Sequence, residues 1–329
     1  MTTEVPALLL DRSLELRVGT RELPEVGAGE ALVRVEWAGV CGSDLHVMRT
    51  GAWVKEWPAT LGHEIYGRVA AAGGDGVPAP GTPVVADSRL PCGACDACRT
   101  DPSTCPNLAF VGEARPGGFA THCVLPASLL HEVPETLEGS TAVLAEPLAV
   151  VVHALGCLHH APARVAILGH GPIGALVHVE LLRRFGPVEI DVAEPAPLRA
   201  ALSRALGAGT VADASELHAG AYDLVVDAAG FPSSLAHAVT LCAPGAQVVL
   251  LALSEHPVPV RPTELVERRL TVTGSNAFVD ELPEAIALLA ADGWRYEPLV
   301  TDAITLDELP ATARRQLERP DAVKLLVRP

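Results

Sequence analysis

Apolar and polar positions alternate first in short bursts. Residues 31–40 (ALVRVEWAGV) alternate in part between apolar and polar side chains, the pattern of a strand with one face in a core. Residues 84–86 and 119–125 (FATHCVL) repeat the pattern more briefly, with Gly and Pro in the intervals. Up to about residue 150 this predicts a partly open, β-barrel-like domain rather than a helix bundle.

Beyond Glu146 the pattern changes. Residues 147–157 read as a helix, after which apolar runs without strict alternation recur at Arg164–Leu168, 188–193, 210–212, Tyr222–Asp227, 247–252 and 270–273. Helical stretches such as 173–185 and 198–206 lie between them. Strands without alternation are buried on both faces, so these predict a parallel sheet covered by helices, a doubly wound α/β domain. A helix at 282–291 and a β segment at 322–327 are too small for a third domain. The expected division is 1–150, 151–280, and 281–329 returning to the first domain. No internal repeat is present.

A chain of 329 residues exceeds what one simple core organises, in keeping with two domains. With 49% hydrophobic and 19% charged residues it reads as folded throughout. The formal net charge of −16 argues against a nucleic-acid partner, which requires a basic face. The N-terminus carries Glu4 and no basic segment, so no signal peptide is expected. The most apolar stretch, 141–155, is interrupted by Glu146 and Pro147 and is shorter than a bilayer span, so no membrane contact and a cytoplasmic location are expected.

Gly169-His170-Gly171-Pro172-Ile173-Gly174 is a GxGxxG that directly follows an apolar strand and opens an apolar helix. Gly169 permits the tight turn, Gly171 lets the backbone approach a pyrophosphate, and Gly174 allows close packing of the helix. The helix N-terminus offers unpaired N–H groups to phosphates. Glu194, at the end of the next strand, suits two ribose hydroxyls and repels a 2′-phosphate, which favours NAD over NADP. Arg199 tempers that preference. His170 occupies a variable slot, either touching cofactor phosphates or open to solvent.

Cys92, Cys95, Cys98 and Cys105 match a closed tetrahedral thiolate site for a structural zinc; a redox pair or an iron–sulfur cluster is the poorer reading. The remaining cysteines Cys123, Cys157 and Cys242 sit among apolar residues and read as small core side chains. A second group can hold an open metal site, because Cys41 and His63 offer thiolate and imidazole while Glu64 and Glu146 each offer a carboxylate.

GVCGSDLH at 39–46, GHE at 62–64 with Gly67, the four-cysteine lobe, Glu146-Pro147 and the glycine loop occur in one order along the chain. In these pieces it resembles the zinc-containing medium-chain dehydrogenase/reductase family, which includes alcohol, sorbitol and threonine dehydrogenases. The resemblance implies a GroES-like barrel joined to a Rossmann domain, a second zinc at Cys41 and His63, and a homodimer or homotetramer. It implies that the third ligand is Glu64 or Glu146, the latter standing where the alcohol dehydrogenase branch has cysteine. Asp44 would orient His63, its plainer reading being a helix-capping turn aspartate. Ser43 would take the substrate proton and His46 would pass it towards solvent, His46 otherwise being a surface histidine. Glu146 makes the site more polar and so favours a hydroxylated small molecule: a polyol, sugar or cyclitol. The SDLH and EPLAV segments also look like those of aminocyclitol dehydrogenases. A threonine-type dehydrogenase, a zinc-free quinone or enone reductase and a non-catalytic NAD-sensing protein are the alternatives. The chain departs from the family in a Cys98–Cys105 interval one residue short, a glycine spacing that slips at 73–77, and a reduced overall length.

Overall fold

The computed structural model describes residues 3–254 and 257–329. The chain divides into two compact units: one comprises the chain through Glu146 with Leu282–Pro320 and Lys324–Pro329, the other Pro147–Glu281 with Asp321–Val323.

The first unit opens with a hairpin-like pair, β1 (Glu4–Leu10) and β2 (Leu16–Glu22). The long strand β3 (Glu30–Val40) follows, and at Cys41 the chain turns into helix α1 (Gly42–Thr50). Strand β4 (Glu64–Ala72) lies antiparallel to β3, with Gly39 opposite Glu64. Strand β5 (Pro83–Ala86) pairs with β4, and β6 (His122–Pro126) pairs with β3 on its other side. Strand β7 (Leu130–Glu132) closes against β5. The alternation in 31–40 is visible here, since Ala31, Val33, Val35 and Ala38 are buried and Arg34 is exposed. In 119–125 only the second half is strand.

Helix α2 (Ala145–Gly156) carries Glu146 in its first turn and starts two residues earlier than the apolar pattern alone indicates. With the preceding turn it forms an apolar run, Gly139–Gly156, of 18 residues. That length reaches the lower limit for crossing a bilayer, which corrects the expectation that the segment falls short. Since 72% of the run is buried inside the protein, it reads as a core helix.

The second unit is built on β8 (Arg164–Leu168), α3 (Pro172–Phe185), β9 (Glu189–Ala193), α4 (Pro197–Ala205), β10 (Val211–Ala212), β11 (Tyr222–Asp227), α5 (Ser234–Leu241), β12 (Cys242–Leu250) and β13 (Thr271–Gly274). All five strand pairs are parallel, in the order β10-β9-β8-β11-β12-β13. This is a doubly wound Rossmann sheet, and the order reverses direction beside β8, where such sheets bind ligands. Val165, Ala166, Ile167 and Leu168 are all fully buried, which is why the sequence shows an unbroken apolar run there.

The chain then adds α6 (Leu282–Asp292), β14 (Val300–Thr305), α7 (Leu309–Glu318) and β15 (Lys324–Arg328). Strand β15 pairs with β3, placing Leu326 opposite Gly39, and β14 pairs with β15. The result is the seven-stranded, partly open GroES-like barrel of the first unit, in which β3 lies between β15 and β4. The Gly174→Ala variant tests the packing around the glycine loop. Its methyl would overlap the Gly169 carbonyl oxygen. Overpacking of this kind costs about 1–3 kcal/mol, so the urea midpoint of the second unit should fall; an unchanged midpoint contradicts the packing described.

Candidate functional site

Cys41 is the residue at which β3 ends and α1 begins, and His63 immediately precedes β4. Asp44, in the first turn of α1, joins the two. One carboxylate oxygen accepts the Cys41 N–H at 2.9 Å, and the other accepts the Gly62 N–H at 3.1 Å and lies 3.4 Å from His63 Nδ1. Asp44 is only 3% exposed, so this is an organising contact rather than a surface turn. Asp44 thus caps α1 through the Cys41 N–H and also faces the His63 ring. With Nδ1 turned to Asp44, Nε2 is the nitrogen left with a free lone pair.

Cys41, His63 and Glu64 bring one ligand atom each within 4.8 Å of one another. Glu64 is fully buried, and its Oε1 has no hydrogen-bond partner among the described residues. A buried carboxylate oxygen left without a donor is strongly unfavourable unless a cation meets it. A thiol, an imidazole and this carboxylate, brought together as they are, fit a catalytic zinc with an exchangeable position. Burial opposes protonation of His63, but Asp44 and Cys41 together hold its pKa well above the ordinary imidazole value.

Glu146 does not join that three-residue cluster. Its Oε1 accepts the Ser88 hydroxyl at 2.6 Å. Burial pushes its carboxyl pKa up; His63 and Lys324 draw it down and Glu64 pushes it further up, so all four groups share one electrostatic neighbourhood. Ser43 is half-buried on the first turn of α1. The His46 ring lies over Trp53, with centroids 4.9 Å apart, and so is half-buried rather than a free surface histidine.

Three participants carried no motif. Lys324, 1% exposed, forms an ion pair with Glu64 Oε2. Its one sequence signal is a charge inside the apolar run AVKLLV. Ser88 had no signal. Burial pushes the Glu113 carboxyl up to about 7, with His63 drawing it down and Asp44 pushing it up, so it lies within electrostatic reach of the same cluster.

The four lobe cysteines also converge within 4.8 Å. Sulfur separations of 3.4 Å (Cys95–Cys98), 3.8 Å (Cys92–Cys98) and 3.9 Å (Cys95–Cys105) are close to the edge of about 3.8 Å set by zinc–sulfur bonds of about 2.3 Å in a tetrahedron. Backbone N–H groups of Ala94 and Cys95 draw the Cys92 thiol down to about 6. None of the eight cysteines forms a disulfide. Cys123 and Cys242 are buried, whereas Cys157 is half-buried and its thiol donates to the His153 carbonyl, which corrects its reading as a core residue.

In the second unit the glycine loop joins β8 to α3. Gly169 has φ +83°, and a side chain there would meet Ala229 at 2.8 Å. A side chain at Gly171 would first meet the Arg199 guanidinium, at 3.4 Å. Pro172 occupies the first turn of α3, and Ile173 is half-buried beside it. Glu194 accepts N–H groups of His170 and Ala196, each at 2.8 Å. Each oxygen keeps a lone pair for a ribose hydroxyl. Arg199 Nε donates to the Ala322 carbonyl at 2.8 Å. His170 matches neither expectation. Its ring is fully buried, with Nε2 3.1 Å from His178 Nδ1, and burial lowers the pair to about 3 and 4, so both rings are neutral. The apolar packing of α3 encloses it. His153 pairs with Glu281 at 2.7 Å, and His159 and His160 are exposed.

Residues 27–135 match the alcohol dehydrogenase GroES-like domain, and residues 172–291 match the zinc-binding dehydrogenase family. The chain is 32% identical to D-altritol 5-dehydrogenase of Agrobacterium fabrum over 88% of this chain and 89% of that protein. It is 30% identical to the starvation-sensing protein RspB of Escherichia coli K12 over 92% of this chain and 95% of that one. Among solved structures, one described as a zinc-binding dehydrogenase of Sinorhizobium meliloti 1021 bound to NADP superposes with a TM-score of 0.89 at 30% identity, over 99% of this chain and 100% of that one.

Asp44→Asn should weaken zinc at Cys41 and His63 by about 10–100-fold, the usual effect of losing an orienting carboxylate, while the cysteine-lobe zinc is retained. Zinc needs neutral His63, whose raised pKa in the metal-free protein means that binding displaces a proton and weakens as pH falls. Calorimetric zinc titrations in buffers of different ionisation enthalpy check both points; uptake without proton release, and independent of pH between about 6 and 8, would contradict them.

Proposed function

Because this chain belongs to the zinc-binding, GroES-like alcohol dehydrogenase family and is an oxidoreductase of that type, we propose that it moves a hydride between NAD and a secondary alcohol of a polyol, sugar or aminocyclitol. The observation that carries this reading is the convergence of half-buried Cys41 and His63 with buried Glu64, with Glu146 alongside. Cys41, His63 and one of the two carboxylates would hold the catalytic zinc, and Cys92, Cys95, Cys98 and Cys105 the structural one. When bound, the zinc supplies Lewis acidity that lowers the pKa of a substrate hydroxyl.

The protein's own groups do the rest. Ser43 accepts the hydroxyl proton and His46 relays it towards solvent. Asp44 keeps the His63 ring in one orientation. A site rimmed by carboxylates suits a substrate with several hydroxyls or an ammonium group better than a simple alcohol. Among relatives, one is named for altritol, and another binds NADP. Glu194 favours the unphosphorylated ribose in this chain, with Arg199 the group most able to soften that preference. The edge strand β13 is largely exposed, which supports a homodimer by sheet extension.

Purified protein should carry about two zinc ions per chain, one lost in Cys41→Ser and the other in Cys92→Ser. It should oxidise polyols or aminocyclitols with NAD at a higher kcat/KM than with NADP. Turnover of threonine alone would move the assignment to a 3-hydroxy amino acid dehydrogenase. A single zinc insensitive to Cys41→Ser, with reduction of enones or quinones, would replace it with a zinc-free reductase.

A further inference from the structure

Three adjacent strands of the first unit meet at one buried ion pair. Strand β3 runs between β15 and β4, with Gly39 opposite Leu326 on one side and Glu64 on the other. The side chains of Lys324 and Glu64, from the two outer strands, meet over Gly39. A methyl group on Gly39 would overlap the Glu64 carboxylate and lie 2.9 Å from Lys324 Cε, so the glycine makes room for the pair. Lys324 Nζ also donates to the Val40 carbonyl, at 3.2 Å, in the residue just before Cys41. The ammonium is thus fixed to the strand that delivers one zinc ligand while it holds the carboxylate of another candidate.

The pair is 1% exposed on both sides, so neither charge is screened by water. Lys324 occupies Oε2 of Glu64, while Oε1 has no hydrogen-bond partner among the described residues, and the carboxylate offers one oxygen within 4.8 Å of ligand atoms of Cys41 and His63. We propose that Lys324 is a positioning residue that makes Glu64 a displaceable ligand: it neutralises one carboxylate oxygen and leaves only the other for the metal, so that an incoming hydroxyl can take the place of Glu64. This rests on the zinc assignment at Cys41 and His63 made above. Without Lys324, the full charge of a buried carboxylate has the dication as its counter-charge, and Glu64 binds it harder. A lysine that merely fills space in the sheet predicts the opposite, a loosened site that loses zinc sooner.

The test is the rate of zinc release to a chromophoric chelator, read from the kinetic phase that Cys41→Ser abolishes. Lys324→Met should slow that phase by about tenfold, the lower end of effects from residues that orient zinc ligands. It should also raise KM for the alcohol more than it lowers kcat, and change the visible spectrum of the cobalt-substituted protein. Glu64→Gln should accelerate release. The double variant E64Q/K324M leaves no buried charge unpaired and remains usable if Lys324→Met alone does not fold; it should release zinc at the rate of Glu64→Gln, because Lys324 acts only through Glu64. Faster or unchanged release in Lys324→Met, or a double variant that departs from Glu64→Gln, overturns the proposal while leaving the zinc assignment intact. A wild-type protein with no phase sensitive to Cys41→Ser overturns both.

Discussion

The Asp44 carboxylate is the contact on which the Cys41–His63 cluster of the first unit depends. Cys41 ends one strand and His63 precedes another, with residues 42–62 between them. A loop of that length has a large conformational entropy to lose before two side chains can share one ion. Asp44 reduces that cost by binding the backbone at Cys41 and Gly62 and by facing the His63 ring. At 3% exposure its charge is felt at short range with little screening. The positions of Cys41 and His63 are therefore set by the folded sheet and one helix turn, the kind of preorganisation that the proposed catalytic site would require.

What could be read from the sequence was whatever is local in it. The glycine loop and the CxxCxxC run each sit within one turn or one loop, so residue order carries their geometry, whereas the link from Asp44 to His63 was expected from the family resemblance alone. The Rossmann strands were legible for a related reason: burial on both faces leaves an unbroken apolar signature, and Arg164–Leu168 and Tyr222–Asp227 have the bounds that signature indicates. Strand ends defined by pairing rather than burial were less clear, as with β12, which begins at Cys242, five residues before its apolar run.

The features that escaped the sequence are those created by sheet order. Nothing in the spacing between Gly39, Glu64 and Lys324 relates them; they meet because β3 is flanked by β4 and β15. Ser88 reaches Glu146 from 58 positions away. His170 shows the same limit inside a motif. A GxGxxG leaves its second position chemically open, and only the helix that follows supplies His178 and encloses the ring. The pair then links the glycine turn to the body of α3 with two neutral imidazoles, a role about packing rather than charge.

The charge balance of the first unit supplies the last step. Asp44, Glu64 and Glu146 are all buried, and Cys41 stands beside them. Against these, Lys324 is the buried permanent cation among the described residues, and it is committed to one oxygen of Glu64. His63 can add a proton, since Asp44 and Cys41 hold its pKa well above the ordinary imidazole value against the effect of burial. A dication held by the thiolate and the imidazole would relieve that demand more completely than one proton, because it meets several donors at once. The same balance bears on substrate. A neutral alcohol entering such a site gains from acidification of its hydroxyl, and additional hydroxyl or ammonium groups find acceptors in the carboxylates already there. On the proposed reading, a catalytic metal and a polar substrate would both follow from one arrangement, a cluster of acids buried with few cations of its own among the described residues.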